Sequence, residues 1–330
     1  MKTLLTGATG FLGSAILRKL VDDGQNVRVL ARPNGDRRNI ANVACEIAEG
    51  DLNDTTSLQS AVSGCDALFH VAADYRIWAP NPSELYRTND FGTVELFRAA
   101  ATAGIERMVY TSSVATLGIH SDGTPSNEAT PVSRSNMVGH YKRSKFDAET
   151  SVMGLIRNEH LPIVIVNPST PIGPRDVKPT PTGRIIVEAA GGRMPAFVDT
   201  GLNVVHVDDV AAGHIQAFRR GVIGERYILG GEDLSLRQIL AEVAEIIGRK
   251  PPMISLPRAP LFPFAYLSEI IARLRGGTEP MLTVDGLRMS KKRMYFSSAK
   301  AQKMLGYVTR PATEALRDAV EWFTSNGYVK

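Results

Sequence analysis

The chain has 330 residues, 43% of them hydrophobic and 22% charged, enough apolar material for one large core or two lobes. Lys+Arg number 38 against Asp+Glu 34, a net charge of +4, and no window gathers the basic stripe of a nucleic-acid binder. Cys45 and Cys65 stand in no disulfide or metal-ligand spacing, so neither a disulfide framework nor a metal is expected. The N-terminal apolar run is broken at once by Thr and Gly, unlike a signal peptide, and no run approaches the roughly 20 residues that span a bilayer. These features lead us to expect a soluble, cytoplasmic protein.

From residue 1 to about 170, short β-branched runs alternate with helical patterns. KTLLT reads as a strand, FLGSAILRKLVDDG as a helix with Leu12, Ala15, Ile16 and Leu20 on one face, then NVRVLAR and CEIAEGD as strands. SLQSAVSG is a short helix, DALFHVAA a strand apolar enough to be buried on both faces, and 83–103 one long helix. RMVYTSS, a helix over about 139–159, and PIVIVNPS follow. Six strands with intervening helices predict an α/β protein with a doubly wound parallel sheet of Rossmann type over 1–170. A smaller substrate-binding lobe is expected over 171–330, with a segment near 203–220 returning to the first domain. That second part opens on a Pro-, Thr- and Gly-rich stretch read as a long ordered loop. It holds amphipathic helices at RQILAEVAEIIG and at EALRDAVEWF, where Leu316, Ala319, Val320 and Phe323 repeat at helical spacing. PLFPFAYL, continuing into SEIIARLRGG, predicts an aromatic-rich helix with a basic end, read first as core or pocket lining and second as a membrane-surface contact.

Between the first strand and the first helix lie Gly7, Gly10 and Gly13. Such a turn cradles a dinucleotide pyrophosphate: Gly7 for the tight turn, Gly10 for close backbone approach, Gly13 for helix-on-strand packing, with the helix N-terminus supplying N–H donors. Thr9, Phe11 and Leu12 complete the candidate cradle, and Ala72 in HVAA is a further cofactor contact. After the second strand, where an acid would hold a ribose 2′-hydroxyl, stand Ala31 and Arg32, with Arg37 and Arg38 close by. A guanidinium suits a 2′-phosphate, so NADP is the expected cofactor and NAD the alternative; Arg37 reads foremost as a surface charge. Asp51 and Leu52 in EGDLND are placed to meet the adenine.

Tyr141 and Lys145 in YKRSK lie four apart, on one face of a helix. A phenol titrates near 10 and needs a neighbouring ammonium to lower it before it serves as an acid/base near neutrality. VYTSS ends a strand in Ser112 and Ser113; Ser113 is the candidate to orient the reacting oxygen, and Ser112 reads as a local capping hydroxyl.

Together TGATGFLG, GDL, HVAA, YTSS, YKRSK, NPSTPIGP and HVDDVA resemble the extended short-chain dehydrogenase/reductase superfamily, the NAD-dependent epimerase/dehydratase family, and FSSAKAQKMLGY resembles its C-terminal region. Within it HVAADYRIWAP, HYKRSKF, VNPSTPIGPRDVKPTPTGRII and DTGLNVVHVDDVAAGH are most similar to hopanoid-associated sugar epimerases and, in turn, to dihydroflavonol reductases. The resemblance implies Ser113, Tyr141 and Lys145 as the catalytic set, Asn89 as an ordering residue, and Pro168 and Ser169 against the nicotinamide. It leaves His206 and Asp208 open between a structural role and a substrate contact. Val114 and Ala115 replace the Asp-Glu pair of sugar-nucleotide dehydratases, which removes the acid and base of water elimination. Epimerase is the reading carried by resemblance, ketone reductase the one carried by Arg32 and the chemistry, and a non-catalytic cofactor sensor the third. Tyr75, Arg76, Trp78, Arg175 and Lys178 and the 260–275 helix are the candidate substrate-side residues. The expected partner is a small molecule, with a homodimer and peripheral membrane contact left open.

Overall fold

In this computed structural model residues 1–275, 280 and 282–329 are described. The first half lays down β1 (Lys2–Thr6), α1 (Phe11–Asp22), β2 (Asn26–Ala31), β3 (Glu46–Glu49), α2 (Thr55–Val62) and β4 (Ala67–His70). There follow α3 (Ser83–Tyr86), α4 (Gly92–Thr102), β5 (Arg107–Thr111), α5 (Gly139–Glu159) and β6 (Ile163–Pro168). Each strand pairs parallel with its neighbours, in the order β3-β2-β1-β4-β5-β6. The Rossmann architecture expected from the sequence is therefore present.

The central strands are largely apolar because both of their faces are covered, whereas the edge strand β3 is mostly exposed. Leu5, Phe69, Val109 and Val164 point into one core with Ile16, Leu17 and Leu20 of α1. Leu4, Leu68, Tyr110 and Ile165 point into the other with Leu58, Phe97 and Val152. Alternate side chains of these central strands thus feed opposite layers.

Two expectations need correction here. The sheet has a seventh strand, β10 (Arg226–Leu229), parallel to β6 at the edge. The helix expected over 83–103 is interrupted by a π-helical turn at Arg87–Phe91. The extra residue of that turn carries Asn89 inward, where it is 1% exposed.

The remaining elements are β7 (Thr170–Ile172), α6 (Pro181–Ala190), β8 (Ala196–Phe197), β9 (Gly201–His206) and α7 (Val207–Arg220) before β10. After it come β11 (Glu232–Ser235), α8 (Leu236–Ile246), β12 (Ile254–Ser255), α9 (Phe262–Leu274), α10 (Val284–Met289), β13 (Arg293–Met294), α11 (Ala299–Leu305) and α12 (Ala312–Ser325). The stretch read as a loop after residue 170 therefore holds a strand and a helix start. Thr180 caps α6 by accepting from the Gly183 N–H, with Pro181 at the first helical position. α7 lies beside α1 on the Rossmann sheet, sharing Val210, Ala211 and Ile215 with that core. α6, α8 and α12 enclose a third core of Ile186, Leu240, Val243, Leu316 and Phe323. β9 carries a small sheet with β7, β11 and β13. The Gly276–Gly277 end of the aromatic helix lies outside the described residues. Among those described, no helix is long and apolar enough to cross a membrane.

Asn203 on β9 joins three segments. Its Nδ2 donates to the carbonyls of Gly231 (3.2 Å) and Phe296 (3.0 Å) and to Asp233 Oδ1 (2.7 Å), and its Oδ1 accepts from the Gly231 N–H (2.8 Å). Asn203→Leu leaves these buried groups unpaired and is expected to cost about 3 kcal/mol, read as a lower urea midpoint with an unchanged slope.

Candidate active site

The glycine turn is closed by backbone contact. Gly7 has φ +76°, and a Cβ there would lie 2.6 Å from the Ala72 nitrogen. A Cβ on Gly13 would lie 2.1 Å from the Gly7 carbonyl oxygen, which no side chain tolerates. The Gly10 N–H donates to the Gly7 carbonyl (2.9 Å), and the Thr9 carbonyl accepts from Asn39 Nδ2 (3.2 Å), which pins the 32–40 segment beside the turn. Gly10 caps α1 with no side-chain acceptor, so the first-turn N–H groups at Phe11 and Leu12 remain for an anion. Across the same edge, Ser169 follows Pro168 at the end of β6, and its Oγ is buried with no partner. A cradle that only glycine fits, an uncapped helix start and an orphaned hydroxyl suit a dinucleotide.

Beyond β2 the three arginines separate. Arg37 pairs with Glu49 (2.5 Å) and Arg38 with Asp36 (2.6 Å). Arg32 is exposed and, among the described residues, its guanidinium makes no ion pair. Ala31 beside it is buried. After β3, Asp51 Oδ1 accepts from the backbone and side-chain nitrogens of Asn53 (both 2.9 Å), and Leu52 is buried against Gly92.

Tyr141 and Lys145 project from the first turns of α5, and Ser113 begins the short turn after β5. Burial raises the Tyr141 phenol above its usual range; a hydrogen bond from Ser113 lowers it in part, and the Asp74 charge raises it. Ser113 Oγ also accepts from the Ala115 N–H (3.1 Å). The Lys145 ammonium is not directed at Tyr141. It donates to the Tyr110 hydroxyl (3.2 Å) and the Thr111 carbonyl (3.0 Å) and lies 4.9 Å over the Tyr110 ring. Burial lowers it to about 8, against an upward pull from Glu149. The expectation that this ammonium depresses the phenol is therefore corrected: desolvation dominates, and the phenol is held protonated. Ser112 is buried, its N–H donating to the Val166 carbonyl (2.8 Å).

Residues that the sequence reading gave no separate role tie this set to the glycine turn. Thr6 Oγ1 accepts from the N–H groups of Val71 and Ala72 (both 3.1 Å), which leaves its proton for His70 Nδ1 (2.8 Å). His70 Nε2 then donates to Thr93 Oγ1 (2.8 Å), whose own proton goes to the Asn89 carbonyl (2.7 Å). Asn89 clamps the 74 loop through the Asp74 N–H (2.7 Å) and carbonyl (2.8 Å), and donates to Ser144 Oγ (2.9 Å). Ser144 in turn donates to the Tyr141 carbonyl (2.8 Å). Behind Ser113, Asn167 Nδ2 donates to its carbonyl (3.1 Å) and to Glu149 Oε2 (2.8 Å), and the single Thr116 hydroxyl proton lies within reach of the same two acceptors (2.7 and 2.9 Å). Only the buried HVAA and NPS runs hinted at His70 and Asn167, since a lone polar residue in an apolar strand needs a partner.

The substrate-side candidates fare unevenly. The 74–78 loop borders Tyr141 through Asp74, with Tyr75 largely exposed and Trp78 buried, its Nε1 unpartnered. Arg76 is held by Asp74 and Glu84. Arg175, in a left-handed conformation at φ 76°, forms an ion pair with Asp208, so it is not a free phosphate ligand; Lys178 is exposed. His206 caps α7 by accepting from the Asp208 N–H (3.0 Å) and faces Asp318 (3.1 Å), while Asp209 holds Arg310 (2.8 Å). That network favours the structural reading of HVDD. The 262–274 helix presents its large side chains to solvent, which corrects the expectation that they line a core or pocket.

A Rossmann sheet carrying a serine, a tyrosine and a lysine at its C-terminal edge is the arrangement of an NAD(P)-dependent enzyme of the short-chain dehydrogenase/reductase superfamily. Residues 3–230 match the model of the NAD dependent epimerase/dehydratase family, and the chain belongs to it. It is 44% identical over 331 residues to a putative dihydroflavonol 4-reductase of Synechocystis sp. (99% of this chain, 95% of that one). It is 34% identical to sterol demethylase protein B of Methylococcus capsulatus, over the full length of both. The crystal structure of gox2253 superposes with a TM-score of 0.89 at 54% identity, covering 99% of each chain.

Gly13→Ala is expected to abolish binding of the reduced nicotinamide dinucleotide, measured by nucleotide fluorescence, because the displaced helix start no longer faces the phosphates. A second expectation concerns acid. Burial, with repulsion from Lys145, holds His70 at about 3, and burial holds His214 at about 4, from 6.5. Below 6.5 the unfolded chain therefore binds more protons, and stability present above that pH is lost as it falls. Asp176, raised by burial to about 6, opposes this below pH 6. His70→Gln should flatten the decline between pH 6.5 and 5 by about 1.4 kcal/mol per pH unit, read from urea midpoints.

Proposed function

We propose that this chain reduces a ketone on a largely apolar substrate with NADPH, Tyr141 giving the proton. What supports the reading is the gathering of Ser113, Tyr141 and the buried Lys145 at the C-terminal end of β5 and the start of α5, with burial holding the Tyr141 phenol protonated. The cofactor, when bound, supplies the hydride. Ser113 holds the carbonyl oxygen, and Tyr141 transfers its phenolic proton to that oxygen as the alkoxide forms. The Lys145 ammonium, turned to the Tyr110 hydroxyl and the Thr111 carbonyl, would hold the nicotinamide ribose hydroxyls. The raised phenol starts in the protonated form that a reduction needs; epimerisation, the reading carried by the sequence resemblance, also requires Tyr141 or another group to accept a proton first.

NADP rather than NAD is supported by Arg32, an exposed guanidinium that makes no ion pair among the described residues, where an acidic residue would hold a 2′-hydroxyl. Gly7, Thr9, Gly10, Phe11 and Leu12 hold the pyrophosphate in this reading, Asp51 and Leu52 the adenine, Ala72, Pro168 and Ser169 the nicotinamide half. A reductase and a sterol-processing protein among the relatives support net reduction and an apolar skeleton. Tyr75 and Trp78 are the substrate-side residues that remain.

Stoichiometric loss of NADPH absorbance with cyclic ketones is the expected result; an isomerised product with no net oxidation decides for epimerisation instead. Tyr141→Phe should lower kcat at least about 100-fold with cofactor binding intact. Arg32→Ala should raise the KM for NADPH about 10- to 100-fold, as expected for a lost charged hydrogen bond, and leave that for NADH nearly unchanged. The alkaline limb of kcat/KM should fall near pH 8, where Lys145 loses its charge, and not near 10.5.

A further inference from the structure

We propose that the outer face of α9 docks this chain on an anionic lipid bilayer. The helix is packed inside out. Its inward positions are Ala265, Ser268, Glu269 and Ala272, at helical spacing. Ala265 and Ala272 are buried, Ser268 Oγ reaches the Leu282 carbonyl (2.6 Å), and Glu269 accepts from the Val284 N–H (2.8 Å). Outward stand Phe264, Tyr266, Leu267, Ile270, Ile271 and Leu274, between 40 and 81% exposed. A surface helix of a globular protein carries the opposite arrangement, and a contiguous apolar face of this kind marks an interaction site. Just upstream, Met253 and Ile254 are 70 and 59% exposed.

Charge selects the occupant. Residues 249–293 hold nine basic and three acidic residues, a local excess of six in a chain whose whole excess is four. Two of the acids are engaged: Glu269 inward, and Asp285 with Arg288 (3.2 Å). Arg273 and Arg275 at one end of α9, and Lys291 and Lys292 after α10, are exposed. Lys291 Nζ lies 5.8 Å from the Phe262 ring, beside the start of the helix. A second copy meeting this face across a two-fold axis would set like charge against like. A bilayer containing anionic lipid accepts the apolar face at its acyl boundary and the ammonium and guanidinium groups among its headgroups.

Docking also places the lipid near the chemistry. α9 packs on Val284 and Leu287 of α10 through Ala265. Asp285 of α10 abuts the start of α5, where a Cβ on Gly139 would lie 2.8 Å from Asp285 Oδ2, two residues before Tyr141. The inference stands on the surface alone and does not require the ketone-reductase reading.

The test is flotation of the full chain with vesicles of phosphatidylcholine alone or mixed with phosphatidylglycerol, at low and high salt. We expect binding to the mixed vesicles, weakened by salt. Leu267→Glu/Ile271→Glu/Leu274→Glu should reduce it at least about tenfold, with NADP(H) binding and thermal unfolding unchanged as evidence of folding. Lys291→Ala/Lys292→Ala, which leaves the apolar face intact, should weaken binding to mixed vesicles and reduce its salt dependence. The proposal is overturned if the wild-type chain floats with neither vesicle, or if the triple variant floats as the wild type does. It is equally overturned if sedimentation shows a dimer that the triple variant dissociates.

Discussion

Helix α1 begins where it does because its third residue rests on the carbonyl oxygen of Gly7, with no room for a single carbon between them. The left-handed turn at Gly7 brings the chain off β1 against the backbone after β4, and Gly13 then seats the helix on that turn. Three segments are locked by main-chain contact alone. Glycine loses more freedom on folding than any other residue. Here that loss is offset by the apolar face of α1, where Ile16, Leu17 and Leu20 are fully covered. The outcome is a helix N-terminus aimed across the C-terminal ends of the strands, where a doubly wound sheet receives its ligands.

From that turn a buried polar chain runs to the catalytic helix: Thr6, His70, Thr93, Asn89, Ser144 and the carbonyl of Tyr141. Each side chain in it both gives and accepts, so none can be removed without leaving its neighbours unpaired in a low-dielectric interior. The chain explains the π-helical turn at Arg87–Phe91. A regular helix there would not carry Asn89 inward to meet both the 74 loop and Ser144. The placement of Tyr141 is thus coupled to the glycine turn through side chains that never touch a substrate.

Much of this was legible in the sequence, for identifiable reasons. The central strands were visible because both of their faces are covered, leaving nearly continuous apolar runs, and the glycine spacing is intelligible only between a strand and a helix. β10 escaped because four residues beginning with Arg226 carry too little pattern, and its partner β6 lies far back in the chain. Spacing placed Tyr141 and Lys145 on one helix face, but it could not show that Lys145 reaches Tyr110 and Thr111. On α9, periodicity revealed an apolar face without telling which way it turns. Only the small residues opposite it, Ala265 and Ala272, carry that information, and only once the neighbouring α10 is seen packed on them.

The seventh strand also bears on the site. Arg226 reaches from β10 to Glu149 on α5 (3.1 Å) and to the Glu128 carbonyl (2.7 Å). Glu149 accepts from Asn167, with the Thr116 hydroxyl also within reach, and those two meet the Ser113 carbonyl from behind. The Glu149 charge also opposes the burial that lowers Lys145. A carboxylate this deep is tolerated when its lone pairs are filled and a cation stands beside it, and the edge strand supplies that cation. Ser113 and Lys145, set by different elements, therefore share one buried partner. The main-chain position of Ser113 rests in part on an arginine contributed more than a hundred positions later in the chain.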